Sequence, residues 1–334
     1  MHASPMIDRI IRHLSLRVPN LFAANVALLG LHYAARNRAF PSALSSEEAG
    51  LMDYIFWRSV GPWNAFEKDC VDKDKVKAIV REMCPEIGMA EPLDVIPIAG
   101  LSFAEFRRRL LAFAGQAAVA KPTHGSGAVL FLDQEPSPAA LRKFHRECQA
   151  SYFPLFREGQ YYKLEKKVLI ERNLGNPAAG HKAPDDFKFF CSRGRAFLCQ
   201  INVDRYGDHR LVNMLVPDFV DCGVEYGTSR PDRPVVRPSR WQDFVAYAER
   251  LSEPFDFVRV DLYDGEDDIY FGEFTFTPGA GLTNFSDPRF DRWLLSQLRL
   301  APPPISGWLA AGPWQSSPCD VEPSSKNLPQ EASP

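Results

Sequence analysis

The sequence has no strong excess of charge and no apolar run long enough to cross a membrane. Its 39 basic and 42 acidic residues leave a net charge of -3, so no broad positive field favours nucleic acid as a partner. The most apolar stretch, 21–35, is shorter than a membrane span and contains Asn25 and His32. Basic and polar residues interrupt the early sequence where a secretory signal would lie. We therefore expect no transmembrane segment and a cytoplasmic protein.

Cysteine pairs at metal-binding spacing are also missing. The seven cysteines are odd in number, and no two of them form a CxxC pair. This pattern favours reduced thiols packed as small apolar side chains and argues against a zinc site. No Ser/His/Asp or Cys/His arrangement for nucleophilic catalysis is evident, and the GxxxxGK[ST] order of a Walker loop is absent. The chemistry of this chain has to come from other residues.

The most informative stretch spans residues 256–281 and predicts two strands that carry carboxylates on one face. Apolar residues alternate with ionisable ones along both strands, so each strand has an apolar and a polar face. An Asp-Gly dipeptide begins the turn, and a five-residue connection over 264–268 would place Asp261 and Glu273 on the same face, directly or diagonally opposed. A four-residue connection would not. Two opposed carboxylates need a cation between them, and oxygen ligands on a rigid sheet suit magnesium that carries a phosphate. An ordinary amphipathic hairpin with a solvated polar face has the same alternation.

A glycine-rich loop with a preceding lysine lies upstream of this hairpin. A short apolar run ends at Lys121, Pro122 stops the strand, and the sequence THGSG over 123–127 connects to a second apolar run. Glycines let backbone amides approach an anion, and the lysine supplies a compact positive charge, so a phosphate is the expected ligand. A Gly-Ser-Gly sequence is also common in simple hairpin turns.

Together these stretches resemble the ATP-grasp superfamily, and specifically its branch similar to the teichuronopeptide-biosynthesis protein TupA. The segments VAKPTHGSG and FGEFTFTPGAG carry the resemblance, together with VLIERNL, DFKFFCSRGRAF and RVDLY between them. Upstream, VDKDKVKAIVRE resembles the aspartate-lysine helix start of this family, and the likeness extends from about Asp72 to Leu300. The resemblance implies an α+β chain with the ATP-grasp fold, in which two α+β lobes hold a nucleotide between them and follow a mostly helical N-terminal region.

The resemblance also implies three groups of site residues. The group that holds and covers the nucleotide contains Lys121, His124, Gly125, Ser126, Gly127, Glu171 and Leu174, with Glu171 at the adenine-hinge position. The group that neutralises the transferred phosphoryl group contains Lys188, Arg205 and Arg259. The magnesium group contains Asp261, Glu273 and Thr275, and Thr275 stands where many ATP-grasp enzymes have asparagine. Arg259 shares a face with Asp261 and has a second interpretation as the ion-pair partner of this carboxylate. We assign no catalytic role to His124.

The pattern along the chain divides it into four parts. Residues 1–115 are expected to be mostly helical, 116–185 to form the small ATP-grasp lobe with the glycine-rich loop, and 186–301 to form the C-terminal lobe with the metal site. Residues 302–334 are rich in proline and serine, which predicts a disordered tail. Capping residues predict helices that begin at the serines of 45–60, at Ser137 and at Asp287.

Three classes of function fit this sequence. We favour an ATP-dependent carboxylate-amine ligase, in which ATP phosphorylates a carboxylate and an amine then displaces phosphate to form an amide or peptide bond. The expected cofactors are ATP and Mg²⁺, and the expected substrates are small-molecule or glycan-linked carboxylates and amines of surface polysaccharide or peptide-conjugate biosynthesis. A glycan-pathway transferase or kinase is the second class, although no DxD motif stands in an apolar strand context. A nucleotide-binding protein without turnover is the third.

Overall fold

The computed structural model shows an α+β protein built on two β-sheets with helices around them. It describes residue 11 and residues 14–175, 185–203, 210–231, 234–265 and 267–298, so the predicted tail at 302–334 lies outside the described part. Within that part, no helix is both long and apolar enough to cross a bilayer. The six cysteines that it includes are free thiols, as the sequence predicts.

Nine α-helices lie in these ranges. Before the first strand come α1 (Phe22–Asn37), α2 (Leu51–Val60), α3 (Ala65–Val71) and α4 (Val76–Met83). The later helices are α5 (Phe103–Leu111), α6 (Pro138–Gln149), α7 (Phe153–Phe156), α8 (Trp241–Ser252) and α9 (Pro288–Ser296). Short 3₁₀ helices span Gly159–Tyr161 and Pro278–Gly281. The predicted caps of α6 and α9 are present.

Helix α2 begins later than the sequence predicts, so the expected serine cap is wrong. The helix begins at Leu51, and two carboxylates meet its first amide groups instead of a serine hydroxyl. Asp53 accepts a hydrogen bond from the Gly50 N–H at 3.0 Å. Asp291, which is far away in the sequence, accepts one from the Met52 N–H at 3.2 Å. A cap supplied by a distant residue leaves no local signal in the sequence.

The larger sheet contains seven strands in the order β1-β11-β10-β6-β7-β8-β9. These strands are β1 (Gly88–Met89), β6 (Asp185–Ser192), β7 (Arg195–Val203), β8 (Arg210–Leu215), β9 (Val220–Asp221), β10 (Val258–Asp264) and β11 (Ile269–Thr275). Only the pairing of β1 with β11 is parallel among the described strands. The other neighbours are antiparallel; β6 to β9 are neighbours in chain order, as are β10 and β11, whereas β6 and β10 are joined by a long connection.

The smaller sheet contains four antiparallel strands in the order β2-β5-β3-β4. They are β2 (Pro92–Pro97), β3 (Ala118–Pro122), β4 (Leu130–Phe131) and β5 (Lys167–Arg172). Strand β3 carries the predicted lysine and leads into the glycine-rich loop. Strands β1 and β2 come from the region that the sequence assigns mostly to helices, and each joins a different sheet.

The β10–β11 hairpin reaches the predicted carboxylate pairing by an unexpected route. Its connection, 265–268, has four residues rather than the expected five. In the register set by this turn, Leu262 pairs with Phe271, yet Asp261 pairs with Glu273. Gly272 is therefore an extra residue, a β-bulge that moves Glu273 onto the face of Asp261. A Cβ atom at Gly272 would come within 2.8 Å of the Tyr263 ring, so the bulge is packed tightly.

Each sheet buries one face against helices; the second face of the larger sheet is polar near the hairpin and packs against α2 and α9 around Phe190 and Leu198. On the larger sheet, Val260 of β10 lies in the main core with Trp241 and Phe244 of α8. On the smaller sheet, Ala120 of β3 lies in a second core with Phe106 of α5 and other residues of α5 and α6. Because side chains alternate along a strand, the neighbouring lysine and carboxylate positions face the space between the sheets.

Candidate functional site

A cavity of about 440 Å³ lies between the two sheets. Its wall combines the smaller sheet, the glycine-rich loop, α4 and the β10–β11 hairpin. The charged residues of this wall are Lys73, Lys77, Lys121, Arg172, Glu171 and Glu273. Four cations against two carboxylates leave an excess of positive charge, which favours an anionic ligand such as a polyphosphate.

The floor of the cavity is an ion-paired group of Lys121, Glu171 and Lys77. Lys121 of β3 and Glu171 of β5 lie on neighbouring strands, and the Lys121 Nζ is 2.8 Å from the Glu171 Oε1. The Lys77 Nζ of α4 is 2.8 Å from the Oε2 of the same carboxylate. Burial raises the pKa of Glu171, but the two lysines outweigh this effect and the pKa is lowered overall. The ionised Glu171 thus holds two ammonium groups at the cavity wall, with a net positive charge for the trio.

The glycine-rich loop forms the cover of the cavity through Ser126 and Gly127. Gly127 has a φ of 88°, a left-handed conformation that favours glycine. The carbonyl oxygen of Gly125 accepts a hydrogen bond of 2.7 Å from the Lys73 Nζ, and a Cβ atom at Gly125 would lie 3.1 Å from Tyr152. The loop is therefore held from both sides. Leu174, just beyond the C-terminal end of β5, also lines the cavity.

His124 lies beneath the loop rather than at the cavity wall. Its side chain is buried, and its Nε2 is 3.3 Å from the carbonyl oxygen of Ala150. Burial lowers the pKa of the imidazole, so the neutral form is favoured. This position separates His124 from the wall-forming residues Ser126 and Gly127 and suits a packing role for the ring.

The polar face of the hairpin carries Asp261 inside a buried ion-pair cluster. The Asp261 carboxylate accepts hydrogen bonds from Arg259 at 2.6 and 2.7 Å and from Lys188 at 2.5 Å. Lys188 also contacts Asp186 at 2.7 Å. Burial raises the pKa of Asp261, and the contacts with Arg259 and Lys188 oppose this effect. The two cations and two carboxylates of this cluster balance each other in charge. Arg259 is therefore the ion-pair partner of Asp261 in this structure, and a phosphate contact would have to replace that pair.

Glu273 and Thr275 lie beside this cluster, and Glu273 also lines the cavity. The Glu273 side chain is 32% exposed, and its Oε2 is 3.5 Å from the Lys73 Nζ. The Arg259 guanidinium is 3.8 Å from the Glu273 Oε1 and donates a hydrogen bond of 3.0 Å to the Thr275 hydroxyl. The structure thus brings Lys188, Arg259, Asp261, Glu273 and Thr275 together. Arg205 lies outside the described residues.

The hairpin oxygens fit magnesium as part of a larger ligand set. Glu273 offers an exposed carboxylate at the cavity wall, and Asp261 is the directly opposed residue of the neighbouring strand. Both Asp261 oxygens already contact cations, and no group of three or more His, Cys, Asp or Glu side chains within the described ranges is arranged to hold a metal alone. Magnesium in proteins commonly takes one or two carboxylates and completes its shell with phosphates and water, and this donor set suits that arrangement.

A polar row continues from the hairpin across the larger sheet. Glu273, Asp261, Lys188, Gln200 and Asn213 follow one another as paired residues on β11, β10, β6, β7 and β8. Gln200 donates a hydrogen bond of 3.0 Å to Asn213, and both side chains are buried. The polar alternation that the sequence shows in β7 therefore belongs to the same face as the carboxylates.

Sequence reasoning missed the buried network around Glu158, which links the loop to the C-terminal lobe. The Thr277 hydroxyl donates a hydrogen bond of 2.5 Å to Glu158, and Gln160 lies 3.4 Å from the same carboxylate. Tyr152 lies against Gly125 of the glycine-rich loop, and the nearby Glu158 carboxylate adds to the burial that raises the pKa of the Tyr152 hydroxyl. Burial raises the pKa of Glu158 to about 7. Thr277 belongs to the FTFTPG motif, so this network links the segment beside the glycine-rich loop to the end of β11.

Lys73 and Lys77 were also missed as site residues. They lie four residues apart in VDKDKVK, the segment that resembles the helix start of the family. Lys73 lies in the turn before α4 and Lys77 in the first turn of α4, and both line the cavity. Asp72, which is buried, accepts hydrogen bonds from the Asp74 and Lys75 amides and so fixes this start. The family pattern was the available signal for these lysines.

A lysine-lined cleft between two α+β lobes, covered by a glycine-rich loop and facing a carboxylate-bearing hairpin, defines an ATP-grasp protein. The chain belongs to the TupA-like ATP-grasp family, whose model matches residues 64–299. This match confirms the resemblance and the fold class predicted from the sequence. No curated protein matches the chain.

Among solved structures, three similar ones are ATP-grasp enzymes at low sequence identity. The ATP-grasp ligase PsnB complexed with minimal precursor is 12% identical, covers 70% of this chain and 62% of its own, and has a TM-score of 0.35. D-alanine–D-alanine ligase from Bacillus anthracis is 15% identical, with 63% and 58% covered and a TM-score of 0.36. N5-carboxyaminoimidazole synthase from Aspergillus clavatus, in complex with ADP and its ribonucleotide, is 12% identical, with 69% and 51% covered and a TM-score of 0.36. The match spans less than two thirds of each of these enzymes, and TM-scores this low carry no argument about function.

Proposed function

We propose that this protein is an ATP-dependent carboxylate-amine ligase that forms an amide or peptide bond through an acyl-phosphate intermediate. One observation carries the proposal. The cation-rich cavity floor of Lys121, Glu171 and Lys77 faces the β10–β11 hairpin, whose Glu273 lines the cavity and is the strand partner of Asp261. Such a cleft can hold a polyphosphate along its length and present the terminal phosphoryl group to the hairpin.

The nucleotide would lie against the smaller sheet. Lys121 and Lys77 would contact its phosphates, and the backbone amides of Ser126 and Gly127 would cover them. Glu171 keeps both lysines charged and oriented, and Leu174 supplies an apolar contact at the far end of the cavity. Glu171 remains the proposed residue of the adenine hinge, although its carboxylate forms ion pairs with Lys77 and Lys121.

Magnesium bound through Glu273, with Asp261 and Thr275 beside it, would offset the negative charge of the phosphates. When a nucleotide binds, its phosphate oxygens would compete with Asp261 for Arg259 and Lys188. The carboxylate oxygens of Asp261 would then be released beside the nucleotide. Arg259 and Lys188 then stabilise charge on the transferred phosphoryl group. Arg205 is proposed for the same role.

The reaction itself requires alignment rather than a protein nucleophile. A substrate carboxylate oxygen attacks the terminal phosphorus and ADP leaves. The amine nitrogen then attacks the acyl carbon, phosphate leaves with the bond pair, and the nitrogen loses one proton. The proposal extends to small-molecule or glycan-linked carboxylates and amines of surface polysaccharide or peptide-conjugate biosynthesis as substrates, and to a cytoplasmic location.

An ADP-release assay against pooled amino acids and sugar acids tests this proposal. We expect release that depends on both a carboxylate and an amine, with mass spectrometry showing a product joined by loss of water. Lys121→Ala is the loss-of-function control, and Arg108→Ala, on the exposed side of α5, is the matched cation control. ATP binding without ADP release in every pool would favour a protein without turnover, and phosphate transfer that needs no amine would favour a kinase.

A further inference from the structure

The N-terminal part of the described chain carries an unusual concentration of exposed apolar side chains. Ten large apolar side chains are exposed within the described ranges, and six of them lie between residues 14 and 40. These six, which we call the N-terminal apolar surface, are Leu14, Leu16, Leu21, Phe22, Leu31 and Phe40. Single exposed hydrophobic residues are ordinary, but a concentration of this kind indicates an interaction site.

Helix α1 contributes an apolar outer face to this surface. Ala23, Ala27 and Leu31 follow at intervals of four residues and are exposed, so this face of the helix presents only apolar groups. The buried side contains Leu28, Leu29 and Tyr33 together with the polar Asn25 and His32. A helix at a water-exposed surface normally turns polar residues outward.

The fold holds the segment before α1 in place, so that its leucines stay exposed. The buried guanidinium of Arg157 donates hydrogen bonds to the carbonyl oxygens of Ser15, of Val18 at 3.0 Å and of Pro19 at 3.3 Å. Three backbone contacts to one buried cation fix the path of this segment. Leu16 lies within it and is 64% exposed. Its exposure is therefore a property of the folded chain and not of a loose end.

The sequence that forms this surface carries charge of one sign. Residues 14–46 contain three arginines and no aspartate or glutamate. Arg17 and Arg38 are exposed in the structure. A surface that combines exposed leucine and phenylalanine with arginine, and lacks carboxylates, complements a partner that is both apolar and anionic.

We propose that the N-terminal apolar surface docks the protein on an anionic lipid bilayer. The leucine and phenylalanine side chains would enter the boundary between headgroups and acyl chains, and the arginines would contact the anionic headgroups. A second copy of the chain is a poorer occupant, since a symmetric contact would bring the arginines of one copy against those of the other with no carboxylate between them. Docking is independent of the ATP-dependent reaction and would place the catalytic cleft at a membrane surface.

Sedimentation of the full chain with vesicles tests this proposal. One set of vesicles is phosphatidylcholine alone, and the other is an equal mixture of phosphatidylcholine and phosphatidylglycerol. We expect binding to the mixed vesicles, weaker binding at high salt, and little binding to phosphatidylcholine alone. The double variant Leu16→Glu/Leu31→Glu should bind more than about tenfold more weakly, and Arg17→Ala about fivefold more weakly.

Val236→Glu is the matched control, because Val236 is 85% exposed and lies far along the chain from this surface. It should bind the mixed vesicles as the wild type does, and circular dichroism should show that all variants are folded. Equal binding by the wild type and the double variant would overturn the proposal, as would no binding of the wild type to either vesicle. Size-exclusion chromatography covers the competing occupant: a dimer that the double variant abolishes, without vesicle binding, would assign the surface to a second copy. Vesicle binding that appears only after removal of residues 299–334 would show that the tail covers the surface, and would also overturn the proposal for the full chain.

Discussion

Replacing Asp261 by asparagine should cause a large loss of stability. Asp261 is 1% exposed, and both of its oxygens accept hydrogen bonds from cations, with Arg259 on each oxygen and Lys188 on one. Asparagine has nearly the same shape but no charge, so the variant leaves two buried cations beside a single carboxylate, Asp186. Removing one partner of a buried ion pair costs about 3–5 kcal/mol.

Glu273→Gln on the opposed strand is the matched control. The Glu273 side chain is 32% exposed, and its nearest cations, Lys73 and Arg259, are 3.5 and 3.8 Å away. Exposed pairs of this kind contribute about 0–1 kcal/mol. The substitution also removes the repulsion between Glu273 and Asp261. We therefore expect the free energy of unfolding to change by less than about 1 kcal/mol.

Thermal and urea unfolding without nucleotide measure the difference between these variants. In a domain of 150–250 residues, a change of 1 kcal/mol shifts Tm by about 2–4 °C, so Asp261→Asn should lower Tm on the order of 10 °C. Glu273→Gln should stay within about 3 °C of the wild type. Equal shifts for the two variants, or a wild-type Tm for Asp261→Asn, would refute the view that a buried, charge-balanced cluster stabilises the hairpin.

Three further predictions follow from the site. Lys121→Ala should weaken ATP binding by at least about tenfold in calorimetry, because a charge-assisted contact to phosphate is lost while Lys77 still neutralises the carboxylate beneath it. Burial raises the pKa of Glu158 from 4.5 to about 7, so its contribution to stability is fully present below about pH 4.5 and is lost as pH rises through about 7. The wild type should therefore lose roughly 3 kcal/mol of unfolding free energy across this pH range, and Glu158→Gln should not show this loss. Gly272→Ala should cost about 1–3 kcal/mol, since its Cβ would lie 2.8 Å from the Tyr263 ring.

Each of these predictions has an outcome that contradicts it. Equal ATP affinity in Lys121→Ala would remove the lysine from the nucleotide site. A Glu158→Gln variant that loses stability with pH as steeply as the wild type would assign the titration to other groups. Gly30→Ala is the control for the bulge, because an added Cβ there meets nothing closer than 3.4 Å. If the two alanine variants were equally stable, the bulge would be loosely packed.

The alternation along β10 and β11 was enough to predict which hairpin residues face the cleft. Asp261 and Glu273 are directly opposed, as the sequence indicates. The route was not predictable, because the turn is one residue shorter than expected and Gly272 supplies the missing residue inside the strand. A glycine in a strand is compatible with a bulge but does not show which residue stays unpaired.

Residues whose roles depend on distant contacts could not be found from local patterns. Glu158 follows a short helix in a segment with no motif, and its hydrogen-bond partner Thr277 reaches it only through the folded chain. Lys73 and Lys77 stand among alternating charges, a pattern that is also typical of a solvated helix face. His124 is the reverse case, because its place within a glycine-rich motif suggests ligand contact whereas its side chain is buried against Ala150.

The bulge at Gly272 allows the neighbouring turn to vary in length by one residue without changing which residues pair. A five-residue turn without a bulge and a four-residue turn with one give the same pairing of Asp261 with Glu273. Inserting one residue within 265–268 while deleting Gly272 should therefore restore a hairpin that either change alone would disrupt. Gaps at these two positions should compensate each other wherever related chains are aligned.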